Sequence, residues 1–307
     1  MVQNVAPLVA ELEPEDVHLL SGLEHGMRFG EWVDRDRLPE LANLTPREVD
    51  YRLERTIKRK LIEKRTLQYE GYRLTFAGYD VLALWTFAQR DTIDGVGAQL
   101  GVGKESDVYE ARSYRPMVLK FHREGIGNFR NLDREREYTA DRQHTSDLYT
   151  ARIAAEREFE VLEALYPDVA VPRPVDHNRH AIVMEKIDGI ELSRATLEDH
   201  EVGPVLRGLL RQVERVHDAG FVHGDLSEYN VFVTPDRVVL FDWPQAVSID
   251  HPNAGDLLER DLETTLAFFR RKYPGNVPED LDSRGLAGAL LDGELGAHLE
   301  ALRAETG

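Results

Sequence analysis

The chain of 307 residues is 42% hydrophobic, enough for a packed core, and its length fits two domains or one larger domain with an appendage. With no cysteine it can hold no disulfide, no thiolate metal site and no cysteine nucleophile. Its 56 Asp and Glu outnumber 31 Arg and 7 Lys, a net charge of −18 that excludes non-specific nucleic-acid binding unless a local basic patch supplies it.

An acidic, lysine-poor surface suits a salt-rich cytoplasm, where screening weakens repulsion among carboxylates; an ordinary acidic protein is the alternative. No run of about 18 uncharged apolar residues is present, so a membrane span is not expected. The opening MVQNVAPLVAELEPEDV has no basic segment ahead of an apolar one, so no secretory signal is expected, and the chain reads as cytoplasmic.

Residues 1–91 read as a small helical domain ending in a hairpin. Val17, Leu20, Leu23 and Met27 follow helical spacing. Thr45-Pro46-Arg47-Glu48 is a helix start, with Thr as N-cap, Pro at the first position and an acid in the first turn. The helix from Pro46 turns Val49, Leu53, Ile57 and Leu61 inward. Residues 67–74 read as two short strands around Glu70-Gly71, and a helix over 76–87 closes the unit. Helices, a basic helix and a hairpin make the winged-helix pattern. Arg52, Arg55, Lys58, Arg59 and Lys64 form a local excess of positive charge, which suggests a surface facing nucleic-acid phosphates. The alternative is a solvated face with ion pairs at i,i+4, such as Glu54 with Lys58.

Residues 92–184 change to β-rich runs over 101–111 and 117–121, then a charged stretch near 122–147 expected as a flexible loop. A helix over 148–165 and a strand over 181–184 follow. Residues 185–307 are mostly helix, with short strands around His223-Gly224-Asp225-Leu226-Ser227-Glu228-Tyr229-Asn230. Strands first and helices later predict an α+β chain, a winged helix followed by a compact two-lobed kinase-like domain.

The chemistry sits in four places along that order. Gly101-Val102-Gly103-Lys104-Glu105-Ser106 lies between two β-like runs, where glycines let backbone amides approach a phosphate. Lys104 comes too soon for a P-loop, and a Gly-rich hairpin turn would look similar. Lys120 stands alone in an apolar strand, a costly place unless phosphate oxygens and a helix carboxylate pair with it. The next helix offers Glu156, Glu158, Glu160 and Glu163, among which periodicity does not choose. The strand ending at Met184 leads into Glu185-Lys186-Ile187, where backbone groups of Glu185 and Ile187 can meet an adenine edge. Finally, Asp225 and Asn230 are followed twelve residues on by Asp242, at the end of an apolar run. Asn230 and Asp242 offer hard oxygens to Mg²⁺, while Asp225 accepts or orients the proton of an attacking hydroxyl or water.

GVGKESDVY, VLKFH, HGDLSEYNVFV and FDWPQAVSIDHPNA resemble the motifs of the RIO family of atypical serine/threonine kinases, and with the winged helix they point to its second subfamily in an archaeal form. The resemblance implies ATP with Mg²⁺ (or Mn²⁺), held by Gly101, Gly103, Lys104, Glu105, Ser106, Lys120 and the segment Met184, Glu185 and Ile187. It implies Glu158 as the helix partner of Lys120, Asp225 as the catalytic acid, and Asn230 and Asp242 as metal ligands, with Asp242 also a candidate phosphate acceptor. The flexible loop would carry autophosphorylation at Ser146 or a nearby Thr. The family's usual work, maturation of the small ribosomal subunit with the winged helix on ribosomal RNA, is the expected partnership; oligomeric state is not implied. Trp243 and Ala246 depart from the usual pattern, which should alter packing rather than chemistry. No Ala-Pro-Glu element follows Asp242, so ATP hydrolysis coupled to switching is expected to matter at least as much as peptide phosphorylation. The rival readings are a small-molecule phosphotransferase of the aminoglycoside type and a winged-helix DNA-binding regulator with an inert nucleotide sensor.

Overall fold

The computed structural model describes residues 2–66, 68–103, 105–123 and 147–295. Lys104, the charged stretch 124–146 and its candidate Ser146 lie outside the described residues. The chain divides into two compact units, residues 1–156 with 175–185, and residues 157–174 with 186–307.

The first unit opens with α1 (Val2–Val9), α2 (Pro14–Gly26), β1 (Val33–Asp34), a 3₁₀ turn (Arg35–Arg37), α3 (Leu38–Ala42) and α4 (Pro46–Lys58). The wing, β2 (Ile62–Thr66) and β3 (Glu70–Leu74), precedes α5 (Phe76–Gln89). Thr45 starts α4 as its residue type demands: its hydroxyl accepts from the Glu48 amide at 3.3 Å, and the Glu48 carboxylate accepts from the Thr45 amide at 2.8 Å. Leu19, Leu20, Leu23, Leu38, Val49 and Leu53 fill the core between these helices.

The wing turns earlier than expected. β2 ends at Thr66 and β3 begins at Glu70, so Glu70-Gly71 is inside a strand and not at the reversal; Gly71 faces Arg65 on one side and Asp34 on the other, in a sheet of order β1-β3-β2. The register is set by Ile62 opposite Leu74, both buried, which a later turn would pull apart. The run Glu63-Lys64-Arg65 hides β2 from a reading by apolar alternation.

The basic patch also needs correction. Arg52 is buried, and its guanidinium meets Glu13 at 2.7 Å and Asp16 at 3.2 Å. Arg55 reaches Glu13 and Asp16, and Arg59 reaches Glu11. Asp16 has no solvent exposure, so three arginines of one helical face turn inward on a single carboxylate of α2. Spacing alone cannot distinguish that arrangement from a phosphate-facing row, because the partners lie on another helix. Lys58 is exposed and pairs with Glu54, and Lys64 pairs with Glu70.

The rest of the first unit is a five-stranded sheet of order β4-β5-β6-β8-β7, from β4 (Gly95–Val102), β5 (Ser106–Arg112), β6 (Pro116–His122), β7 (Pro174–Asn178) and β8 (Ala181–Glu185). Between β6 and β7 runs α6 (Asp147–Leu165), whose residues from Arg157 onward belong to the second unit.

The second unit continues with β9 (Ile190–Glu191), α7 (Asp199–Asp218), β10 (Phe221–Val222), β11 (Val231–Val233), β12 (Val238–Leu240), β13 (Val247–Ser248), α8 (Ala254–Lys272) and α9 (Ser283–Leu291). Its small sheets, β12-β11-β9 and β10-β13, present short loops, while α7 and α8 bury leucine and phenylalanine faces. Among the described residues no helix is long and apolar enough to cross a membrane.

Replacing Asp16 with Ala removes the buried carboxylate that Arg52 and Arg55 share and leaves them only the partly exposed Glu13 and Glu15, so Asp16→Ala should cost roughly 3 kcal/mol of stability by urea denaturation. Lys58→Ala, at an exposed pair, should leave the midpoint where it is; equal losses would show that the inward network carries no special weight.

Candidate active site

In the first unit the glycine-rich segment forms the turn from β4 to β5. The Gly103 amide donates to the Ser106 carbonyl at 2.8 Å, which closes the turn, and an added Cβ at Gly101 would meet nothing within 4 Å. Glu105 and Ser106 are half-buried at the start of β5. Lys120 lies in β6, the middle strand, paired across the backbone with Val108 on β5 and Ile182 on β8. Only 4% exposed, its ammonium requires compensation inside the protein or from a ligand's anionic oxygens. Met184 is buried and Glu185 ends β8; Ile187 follows across the unit boundary, in a stretch without regular structure.

In the second unit the loop from His223 to Asn230 runs from the end of β10 to the start of β11. Gly224 takes a φ of +78°, and a Cβ there would stand 2.5 Å from the Gln245 carbonyl oxygen, so no other residue fits without displacing backbone. Asp225 is exposed at the apex between buried Gly224 and Leu226. Crowding by protein on its inner side raises its pKa; Arg260 opposes this and Asp242 adds to it. A carboxylate shifted this way accepts a proton more readily than an ordinary Asp.

Asn230 is tied to that loop. Its side-chain nitrogen donates to the Asp225 carbonyl at 2.8 Å, which leaves the amide oxygen as the group that can meet a cation. Its own carbonyl accepts from the Phe241 amide at 3.0 Å, so the loop directly braces the segment carrying Asp242. Asp242 is held at φ +69°, an uncommon conformation for a residue with a side chain and one that clusters at functional sites. The next amide, Trp243, donates to Glu158 at 3.3 Å. Glu158, 1% exposed, thus lies against the Asp242 segment within the second unit. Trp243 is buried with its ring 4.4 Å from that of His223, whose Nε2 lies 3.2 Å from the Phe241 carbonyl. Burial pushes His223 down to about 4, so it is neutral at physiological pH and serves as packing.

Two residues of this site were not singled out from the sequence. Asp261 of α8 accepts from the Gly224 amide at 2.7 Å and from the Leu226 amide at 3.0 Å, one on each side of Asp225. Its neighbour Arg260 donates to the Gly224 carbonyl. The available signal was an acid on the buried face of a helix, in register with Leu258, Leu262 and Thr265.

Among the described residues no three His, Cys, Asp or Glu side chains gather to hold a metal alone. One amide oxygen and one carboxylate, with the remaining ligands supplied by phosphate oxygens, is the donor set that suits Mg²⁺. Within the second unit, an acid on a loop, an Asn five residues later and an acid after the next hairpin match the acid and metal-ligand pattern of the protein-kinase class of phosphoryl-transfer enzymes, and the first unit by itself carries that class's lysine in an apolar strand.

The comparisons with known proteins refine that class. Residues 107–281 match the family described as RIO domain, and residues 9–90 the one described as Rio2, N-terminal. The RIO-type serine/threonine-protein kinase Rio2 of Methanocaldococcus jannaschii is 38% identical over 83% of this chain and 96% of its own length. The Schizosaccharomyces pombe serine/threonine-protein kinase rio2 is 37% identical over 87% of this chain and 79% of its own. The solved Rio2 kinase-ADP/Mg²⁺-phosphoaspartate complex from Chaetomium thermophilum superposes with a TM-score of 0.76 at 29% identity, covering 98% of both chains. The chain belongs to the Rio2 branch of the RIO-type serine/threonine-protein kinases.

Burial raises Asp261 to about 6 against an ordinary 3.8, although the two amides pull it down. Because its folded pKa lies above the unfolded one, the native state binds the extra proton between these values, and this group's contribution to stability is lost as pH rises through about 6. Protonation also puts a hydrogen on an oxygen that must accept from an amide. Turnover should therefore fall as pH drops through about 6 without loss of stability from this group, and that component of the acid limb should vanish in Asp261→Asn, as pH–rate profiles beside thermal melts would show.

Proposed function

We propose that this chain binds ATP with Mg²⁺ and transfers the γ-phosphoryl group, either to a hydroxyl or, through Asp242, to water. The single observation that carries this reading is the hydrogen-bonded chain from Asp261 through Gly224 and Leu226 to Asp225, Asn230 and Phe241, which presents three oxygen-bearing side chains from one braced loop system.

The first unit supplies the backbone turn at Gly101 and Gly103 and the Lys120 ammonium for phosphate oxygens. The second supplies Asn230 and Asp242 as the ligands that would hold Mg²⁺, which would supply charge neutralisation to the phosphate oxygens. In the hydroxyl route Asp225 takes the proton as the oxygen attacks phosphorus and the bond to ADP breaks. In the hydrolytic route an Asp242 carboxylate oxygen attacks phosphorus and ADP leaves; water then attacks the acyl phosphate, releasing phosphate and restoring the carboxylate. The phosphoaspartate of the Chaetomium thermophilum complex supports an aspartyl-phosphate route, for which Asp242 is the candidate acceptor here.

The reading extends to a cytoplasmic enzyme of small-subunit maturation whose winged helix meets ribosomal RNA. With Arg52, Arg55 and Arg59 turned inward, the surface best suited to RNA is the wing. There Arg65 and Arg73 lie 4.7 and 4.5 Å from the Trp32 ring, and Lys64 lies 5.6 Å from Tyr72. Cations stacked on aromatics suit unpaired bases and phosphates together.

Asp225→Ala should lower kcat by about two to four orders of magnitude with the KM for ATP changed little; a matching loss of affinity would remove Asp225 from the proton-transfer role. Asp242→Asn should abolish hydroxylamine-labile phosphate on the enzyme, and labelling that survives would exclude Asp242 as acceptor. Reversing Lys64, Arg65 and Arg73 should weaken binding to immature small subunits and flatten its salt dependence, whereas a defect confined to duplex DNA would favour the regulator reading.

A further inference from the structure

The first unit contains a buried ionic centre that the phosphoryl-transfer chemistry does not use. Asp80 of α5, in the winged helix, has no solvent exposure. Both of its carboxylate oxygens accept from Arg123, at 2.6 and 2.9 Å, and one also lies 2.7 Å from Nε2 of His180 in the turn between β7 and β8. Burial pushes His180 down to about 4, so the neutral ring serves as a donor to Asp80 and adds no charge.

Arg123 has two further attachments, both at the nucleotide turn. Its Nε donates to the Asp107 carboxylate at 2.8 Å, and its backbone amide donates to the Glu105 carbonyl at 2.7 Å. Asp107 and Glu105 flank Ser106, whose carbonyl closes the turn onto the Gly103 amide. Phe76 and Phe121 hold the guanidinium between them, at 5.3 and 5.2 Å, so it cannot swing away. A planar fork with its donors on two carboxylates transmits position in a way that a point charge does not.

We propose that Asp80 is a positioning residue for the nucleotide: through Arg123 it holds residues 105–107, so the winged helix sets the geometry of the phosphate-binding turn. The proposal rests on the reading that this turn holds ATP. Neutralising Asp80 leaves the buried guanidinium with Asp107 as its remaining carboxylate, which draws the start of β5 toward Arg123 and reshapes the turn. A purely structural pair would lower stability and leave nucleotide affinity alone.

A second contact within the same unit provides the control. Arg90, which follows α5, donates to Asp176 of β7 at 2.7 Å and makes no contact with residues 101–107 among its described hydrogen bonds. The test uses the full chain and measures ADP–Mg²⁺ binding by calorimetry, steady-state ATP turnover and thermal melting. Asp80→Asn and Asp107→Asn should each raise the KM for ATP and the Kd for ADP about tenfold, with kcat within about twofold. The double variant should be no worse than either single one, because both break one bridge. Arg123→Lys should behave like Asp80→Asn, and Arg90→Ala should leave both constants unchanged even where it lowers the melting temperature.

Wild-type nucleotide constants in a destabilised Asp80→Asn would overturn the proposal. If Asp80→Asn does not fold, Asp107→Asn decides, since it spares both Asp80 pairs, and unchanged constants there overturn it equally. A wild-type chain that binds no ADP would instead overturn the ATP reading, and this one with it.

Discussion

Asp225 faces outward while the backbone on both sides of it goes inward, and each buried amide left without an acceptor would cost about 1–3 kcal/mol. Asp261 resolves this by accepting from both, at Gly224 and Leu226, while the preceding Arg260 takes the Gly224 carbonyl. From that clamp the geometry passes outward through hydrogen bonds alone: the Asp225 carbonyl to the Asn230 side chain, the Asn230 carbonyl to the Phe241 amide, then Asp242 in its left-handed conformation. If the helix carboxylate were lost, Asp225, Asn230 and Asp242 would lose their common reference together.

Three further ionic clusters among the described residues follow one pattern. Asp16 gathers the arginines of α4, Asp80 takes Arg123 and His180, and Glu24 takes Arg179 at 2.7 Å. In each case a buried or half-buried carboxylate meets a forked guanidinium, the pairing that best offsets desolvation because two donors meet two oxygens. The excess of Arg over Lys in this acidic chain therefore has internal uses as well as any benefit in a salty medium. It also links the winged helix to the sheet that carries the nucleotide turn.

Much of the site was legible because its parts lie close in sequence. Gly101 and Gly103, the Asp225 to Asn230 spacing, the hairpin leading to Asp242 and the start of α4 at Thr45 are each short-range patterns with a local physical cause. The wing was read three residues late, because Ile62 opposite Leu74 sets the register and no local turn signal reports that pairing. Arg52, Arg55 and Arg59 read as a surface because a helical face looks the same whether water or a carboxylate of another helix lies opposite.

The amino-acid sequence by itself determined the family, the order of the elements, the helix starts and the candidate groups for the chemistry, since these depend on residues within about a turn or a hairpin of one another. Only the tertiary structure decided which carboxylate meets which donor: Asp16 with Arg52 across 36 residues, Asp80 with Arg123 across 43, and Asp261 with the Gly224 and Leu226 amides across 37 and 35. Charge and hydrogen-bonding capacity are properties of single residues, but their partners are chosen by packing, and packing brings together segments that no spacing in the chain relates.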